Sequence, residues 1–183
     1  MEAVWVAGCS GYETTGVIHL LKGCGVSVRL FRPGERLRAG DTLILCFSSA
    51  PLLGWWRYLK ITQWVAYRYD IRLIVLCPDE VCRTDVVCGR NTVTVNGERS
   101  CIHLSLSLQQ TVQRCLPDGM PEFQRDCVKS FLERASQTLR IFPVRESEDS
   151  AIRRAYQKRD LMVQRLGFVS LMKLKVFMAG FVG

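Results

Sequence analysis

The stretch SAIRRAYQKRDLMVQRLG, residues 150–167, is where the reading of this chain turns. Ile152, Ala155, Tyr156, Met162, Val163 and Leu166 fall on one stripe of a helix, at the three-, four- and seven-residue intervals that core contact requires. Arg153, Arg154, Gln157, Lys158 and Leu161 fall elsewhere. Asp149 or Ser150 can accept a hydrogen bond from the free amides at the start, and Gly167 can take the left-handed position after the last turn. The spacing predicts a helix that buries one face and shows Arg, Gln and Lys on the other. Basic runs are usually solvated helix faces and nothing more. The same side chains can also neutralise phosphates and reach base edges, Arg to guanine and Gln to adenine.

The charge of the whole chain bears on that choice. The 183 residues carry a net charge of +8, and it is unevenly spread. Residues 151–183 hold seven basic side chains (Arg153, Arg154, Lys158, Arg159, Arg165, Lys173, Lys175) against Asp160, a local charge of +6. Residues 1–150 hold 18 basic and 16 acidic side chains, only +2. The basicity belongs to the C-terminal end, which favours an acidic partner there.

Nine cysteines are present, with no CxxC pair and only His19 and His103 beside them, so no zinc spacing appears. Several sit inside apolar runs, as in LILCFS and LIVLCP. Their odd number, and a first 22 residues interrupted by Glu2 and Glu13, predict reduced cysteines in a cytoplasmic protein. No apolar run reaches the roughly 18 residues that span a bilayer. VSLMKLKVFMAGFVG comes nearest, and Lys173 and Lys175 break it. No membrane partner is expected.

The first 115 residues alternate short apolar runs with helical patterns. VWVAG (4–8), VSVRLF (26–31), DTLILCFS (41–48) and IRLIVLC (71–77) read as strands, the last two apolar enough to be buried on both faces. YETTGVIHLLKG (12–23) and LLGWWRYLKITQWVAYRY (52–69) read as helices, the second through Leu52, Trp56, Leu59, Ile61 or Thr62, and Ala66. CIHLSL (101–106) reads as a weaker strand and SLQQTVQRC (107–115) as a short helix. This order predicts an α/β fold, a parallel sheet with helices on both faces. Between 78 and 100 the alternation fails, and Asn96-Gly97 inside TVTVNGERSCIHL predicts a β-hairpin. LPDGMPE (116–122) is the best boundary, giving an α/β domain over 1–115, a linker over 116–121 and a small all-α domain over 122–183. In the last part, EFQRDCVKSFLERA (122–135) is amphipathic, ESEDS suits a helix start, and Ser170 can cap a final helix, LMKLKVFMA.

AIRRAYQKRDLMVQRLGFVSLMKL resembles the second half of a LuxR/NarL-type helix-turn-helix domain. Arg153 and Arg154 match the family's early basic positions on the recognition helix, Lys158-Arg159 its mid-helix pair, and Arg165-Leu166-Gly167 its close. EFQRDCVKSFLERAS is similar to the family's first helix, so the resemblance covers roughly residues 120–180. It implies binding of double-stranded DNA, with base reading by Arg153, Arg154 and Gln157 and phosphate contacts from Lys158, Arg159, Lys173 and Lys175. SQTLRIFPVRES stands where the family's second helix lies; it is short and contains Pro143.

An α/β domain followed by such a helical domain resembles a two-part response regulator. Phosphoreceivers place acids after the first strand and an Asp at the end of the third, because an aspartyl nucleophile needs a nearby cation. Here VWVAG is followed by Cys9, Ser10 and Gly11, and DTLIL by Cys46, Phe47, Ser48 and Ser49. The lysine expected after the fifth strand has no counterpart near 103–107, and Asp41 and Asp70 stand at the wrong ends of their runs. The domain therefore resembles a pseudo-receiver, similar to the auxiliary regulators of the Rcs phosphorelay, with no phosphorylation, metal or cofactor expected. Such a domain can serve as a dimerisation surface. Trp55, Trp56 and Tyr58, with Trp64, Tyr67 and Tyr69, exceed what one core-facing stripe can hide and are candidates for a partner face, unless they pack under loops or against the C-terminal domain.

Enzyme readings fare worse. GCSGYETTG lacks the Lys-Ser/Thr of a P-loop, the full GxGxxG and the order of GxSxG. Cys9 or Cys46 with His19 or His103 is the remaining nucleophile pairing. The expectation is a non-enzymatic, phosphorylation-independent transcription regulator that works as a homodimer or as a heterodimer with a response-regulator-type protein. The rival is an adaptor that heterodimerises with a true regulator and reads no DNA itself. A small-molecule sensor ranks third.

Overall fold

In the computed structural model of the chain the described residues are 3–32, 34–84, 86, 87, 89, 91–113, 127–141 and 149–181. Five short strands make the sheet: β1 (Val4–Gly8), β2 (Val28–Leu30), β3 (Thr42–Cys46), β4 (Arg72–Cys77) and β5 (Thr92–Asn96). Every neighbouring pair is parallel, and the order is β2-β1-β3-β4-β5. That is the flavodoxin-like order of doubly wound sheets, shared by receivers. Val6 lies between Leu30 and Ile44, and Ile74 between Ile44 and Val93. All five residues of β3 are buried, as an uninterrupted apolar run requires.

One face of the sheet is covered by α1 (Gly11–Gly23) and α4 (Cys101–Gln113). Val17, Leu21, Leu104 and Leu108 pack there on Val6, Ile44, Ile74 and Leu76. The other face has less cover from its own crossovers. Among the described residues of 31–41 there is no helix, α2 spans Trp56–Arg68, and α3 (Asp79–Cys82) is a single turn. The C-terminal helices complete this face: α5 (Cys127–Leu139), α6 (Asp149–Arg165) and α7 (Leu171–Phe177). Phe131, Leu132, Ala135, Val163, Leu166, Leu174 and Phe177 join one apolar core with Trp55, Leu59, Leu73 and Val75. The Gly54 amide donates to the Val176 carbonyl at 2.9 Å. The Trp56 indole donates to the Ala179 carbonyl at 3.0 Å, and the Trp55 and Phe177 rings stack at 6.3 Å.

Several expectations change. The hairpin does not form: Thr92–Asn96 is the fifth parallel strand, and the tract expected as a strand over 101–106 begins α4. Of the two alternatives on α2, Ile61 or Thr62, it is Thr62 that faces the core. Cys127 is in a disulfide, unlike the reduced state expected of all nine cysteines. The expected linker, 116–121, and Pro143 lie outside the described residues; the parts of the chain on either side share a core.

Candidate nucleic-acid interface

The helix α6 carries the basic stretch and begins at Asp149, one residue before the quoted segment. Val163 and Leu166 are buried, while Ile152, Ala155, Arg159 and Met162 are half-buried on the same side. Tyr156 is 45% exposed and leaves the stripe where its spacing had placed it. Arg159 takes that place. Its guanidinium lies 4.8 Å from the centre of the Tyr156 ring, and its Nε is buried with no hydrogen-bond partner among the described residues. Arg159 thus stands at the margin of the packed face and not at the centre of the open one.

Arg153, Arg154, Gln157 and Lys158 are all exposed, and Arg165 extends the same surface. These positions, spaced 1, 3 and 4 apart, form one side of the helix. The apolar stripe anchors them on α5, so the cationic face is held against a packed base. Gly167 ends the helix at φ 85°. A Cβ there would also lie 2.6 Å from the Arg83 carbonyl oxygen and the Thr84 Cα, so no other residue fits beside the end of α3.

Ser170 caps α7 by accepting from the Lys173 amide at 3.3 Å. The two lysines of α7 differ. Lys175 is exposed. Lys173 pairs with Glu80 of α3, and that hydrogen bond holds the Glu80 carboxyl below the ordinary carboxylate range despite its burial. Lys173 is therefore a tether between α7 and α3, and its charge is already answered.

Of the aromatic residues considered for a partner face, Trp55 is fully buried, with its indole donating to the Phe47 carbonyl at 3.2 Å. Trp56 packs edge-on against Phe181 at 5.2 Å, and Tyr58 against Phe47 at 4.7 Å; both are half-buried. Trp55, stacked on Phe177, and Trp56 serve the contact with the C-terminal helices, while Tyr58 packs on Phe47 and Trp55. Trp64 and Tyr67 are the exposed members, at 58% and 62%.

Open α/β sheets offer a crevice where strand order reverses, here between the carboxyl ends of β1 and β3. Ser10 caps α1, and Cys46, Phe47 and Ser48 are buried. An acid does stand here, Glu13, two residues beyond the Cys9-Ser10-Gly11 turn. Its carboxylate accepts from the amides of Ser48 and Ser49 at 3.0 and 3.1 Å and from both hydroxyls. Glu13 pins the β3–α2 loop to α1. The Ser10-x-x-Glu13 spacing of a capping box was its available signal. Only half of the box forms, with the Glu13 amide donating to Ser10 Oγ at 3.4 Å.

Burial pushes the Cys46 thiol up, with Glu13 and Cys9 adding to it. His103 pairs with Ser100 at 2.8 Å, on α4. Among the described residues no three His, Cys, Asp or Glu side chains gather as a metal site, and no helix is long and apolar enough to cross a membrane.

No protein-family model matches the chain, and no curated protein matches it. Among solved structures, the regulatory domain of the master biofilm regulator CsgD is similar, at 16% identity and a TM-score of 0.46, over 62% of this chain and 88% of that one. At that level of likeness no residue's role carries over.

Proposed function

We propose that this chain is a cytoplasmic, non-enzymatic transcription regulator that binds double-stranded DNA through α6, independently of phosphorylation, as a homodimer or heterodimer. The observation that carries the reading is the open face of Arg153, Arg154, Gln157 and Lys158 on a helix whose opposite side is packed. Arginine and glutamine on one helix side supply bidentate donors for guanine and adenine edges, and lysine supplies a phosphate contact. Lys158 and Lys175 are the free-facing phosphate contacts; Arg159 and Lys173 support the helices that present them. The carboxylate-poor crevice, with Glu13 engaged by two serines, supports control by partner or abundance without a phosphoryl switch.

A second reading is favoured by the core that the C-terminal helices share with the sheet. A reader docked so closely onto a receiver-like face suits an adaptor that pairs with a true response regulator. Fluorescence-anisotropy titration on a selected duplex pool and on random duplex, at two salt concentrations, separates the two. A DNA reader binds the selected pool more tightly with a steep salt slope. Arg153→Ala then costs about 1–3 kcal/mol on cognate DNA, and Lys158→Ala lowers the salt slope by about one on every sequence. Equal, weak binding to both duplexes rejects the reader and leaves the adaptor.

A further inference from the structure

Cys77 is the last residue of β4 and fully buried; Cys82 is the last residue of α3 and half-exposed. Pro78 turns the chain between them, at φ −59° and ψ 154°, so that the two thiols face each other. Their Sγ atoms are 3.1 Å apart, and Cys82 Sγ lies 3.7 Å from the Cys77 carbonyl oxygen. Both are free thiols. A disulfide needs about 2.05 Å between the sulfurs, so closing this pair requires a movement of roughly 1 Å. Other thiols are placed differently: Cys24 Sγ faces Ser105 Oγ at 3.2 Å, and Cys9 Sγ faces the Cys46 carbonyl at 3.9 Å.

We propose that Cys77 and Cys82 are a redox modification site, closed to a disulfide by a hydroperoxide and reopened by a dithiol, with Cys82 attacked first. Cys82 is the more exposed member, half-buried where Cys77 is fully buried, so peroxide meets it first. The hydrogen bond from Cys77 draws the Cys82 thiol downward, past the opposing effects of burial, Asp79 and Glu98, with Arg99 assisting. The same contact, with burial, pushes Cys77 up, so the pair is divided into an attacking and a resolving thiol.

In the first step the Cys82 thiolate takes the distal oxygen of the hydroperoxide. An S–O bond forms, the O–O bond breaks, and the leaving alkoxide or hydroxide picks up a proton. In the second step Cys77 sulfur attacks the Cys82 sulfenic acid; the S–S bond forms and water leaves with the Cys77 proton. Two thiols are oxidised and one peroxide is reduced to water and, from an organic peroxide, an alcohol.

The site lies where α3 meets the C-terminal helices. Glu80, between the two cysteines, holds Lys173 of α7, and the backbone of Arg83 and Thr84 abuts Gly167.

The test uses the full chain, reduced with dithiothreitol, freed of it, exposed to hydrogen peroxide, alkylated in denaturant and cut with trypsin. Leu73–Arg83 is one tryptic peptide and contains both cysteines. The expected product is that peptide unalkylated and about 2 Da lighter than its dithiol form, returning to double alkylation after dithiothreitol. Dimedone present during oxidation of the unsubstituted chain should trap part of the peptide at Cys82, and Cys77→Ala should raise that fraction. Cys82→Ser should abolish the light product. The proposal is overturned if the peptide stays doubly alkylated at peroxide doses that oxidise the exposed Cys9 and Cys101, or if dimedone marks Cys77 instead.

Discussion

Asp41 is only 4% exposed at the head of β3, yet its carboxylate is fully engaged. Oδ1 accepts from the Ala3 amide at 3.0 Å, and Oδ2 accepts from the Trp5 indole at 3.2 Å and the Arg38 amide at 2.9 Å. One side chain thus ties the start of β1 to the start of β3, where the described residues between β2 and β3 form no helix. Burial alone pushes this carboxyl up; the Arg38 and Ala3 amides, the indole and the Arg38 charge outweigh it, and the net displacement is downward. The folded value lies below the unfolded one of about 3.9, so the carboxylate stabilises the fold above that pH and ceases to as pH falls through the folded value. Asp41→Ala should cost on the order of 2–3 kcal/mol near pH 7 by orphaning three donors. The gap between variant and unsubstituted chain should narrow as pH falls from about 5 towards about 2. Urea midpoints across that range check it, and a gap that stays constant would show that charge is not the cause.

At the scale of elements, α6 was legible from its spacing, whereas of α4 only the second half, from residue 107, was legible as a helix. The tract CIHLSLSL alternates apolar and polar residues as a strand does. In the fold Leu104 and Leu108 are buried, four residues apart, while Ile102 and Leu106 are 74% and 51% exposed. Both periods fit those letters, and only the packing on Ile44 and Ile74 selects the helix. Asn96-Gly97 misled for a different reason. A two-residue type I′ turn needs positive φ at both central residues, and neither residue has it. Asn96 instead donates to Asp79 at 2.8 Å and accepts from the Glu98 amide at 2.9 Å. Gly97 is small because a Cβ would fall 2.1 Å from Ser48 Oγ. Gly167 was read correctly as a left-handed close, but its second constraint, contact with α3, was invisible in sequence. Gly167→Ala should therefore cost about 2–4 kcal/mol, strain at positive φ plus displacement of the Arg83–Thr84 backbone. A loss near 1 kcal/mol in thermal or urea unfolding would mean that α3 yields freely.

For the whole molecule, the parallel sheet was legible because β3 and β4 are unbroken apolar runs, whereas the docking of the C-terminal helices stood only as one alternative for the aromatic surplus of α2. Trp55, Trp56 and Tyr58 read as surplus aromatics for one helix, and the surplus is real. Trp55 is taken up by Phe177 and Trp56 by Ala179 and Phe181, more than 100 residues later in the chain, while Tyr58 packs on Phe47 and Trp55. No local pattern encodes that pairing. The candidate interface was legible only as a charge pattern: the spacing placed Arg153, Arg154, Gln157 and Lys158 outward, but not Arg159 at the margin or Lys173 against Glu80. A core that runs from Leu73 through Trp55 to Phe177 and Leu166 should melt as one unit. Far-UV circular dichroism, which weighs all the helices, and tryptophan fluorescence, which reports only residues 5, 55, 56 and 64, should give coincident urea transitions. Trp55→Ala should remove about 3–5 kcal/mol and move both curves together. If the helical signal of α5–α7 instead persists after the fluorescence transition, those helices hold a core of their own, and the basic face of α6 rides on an independent domain.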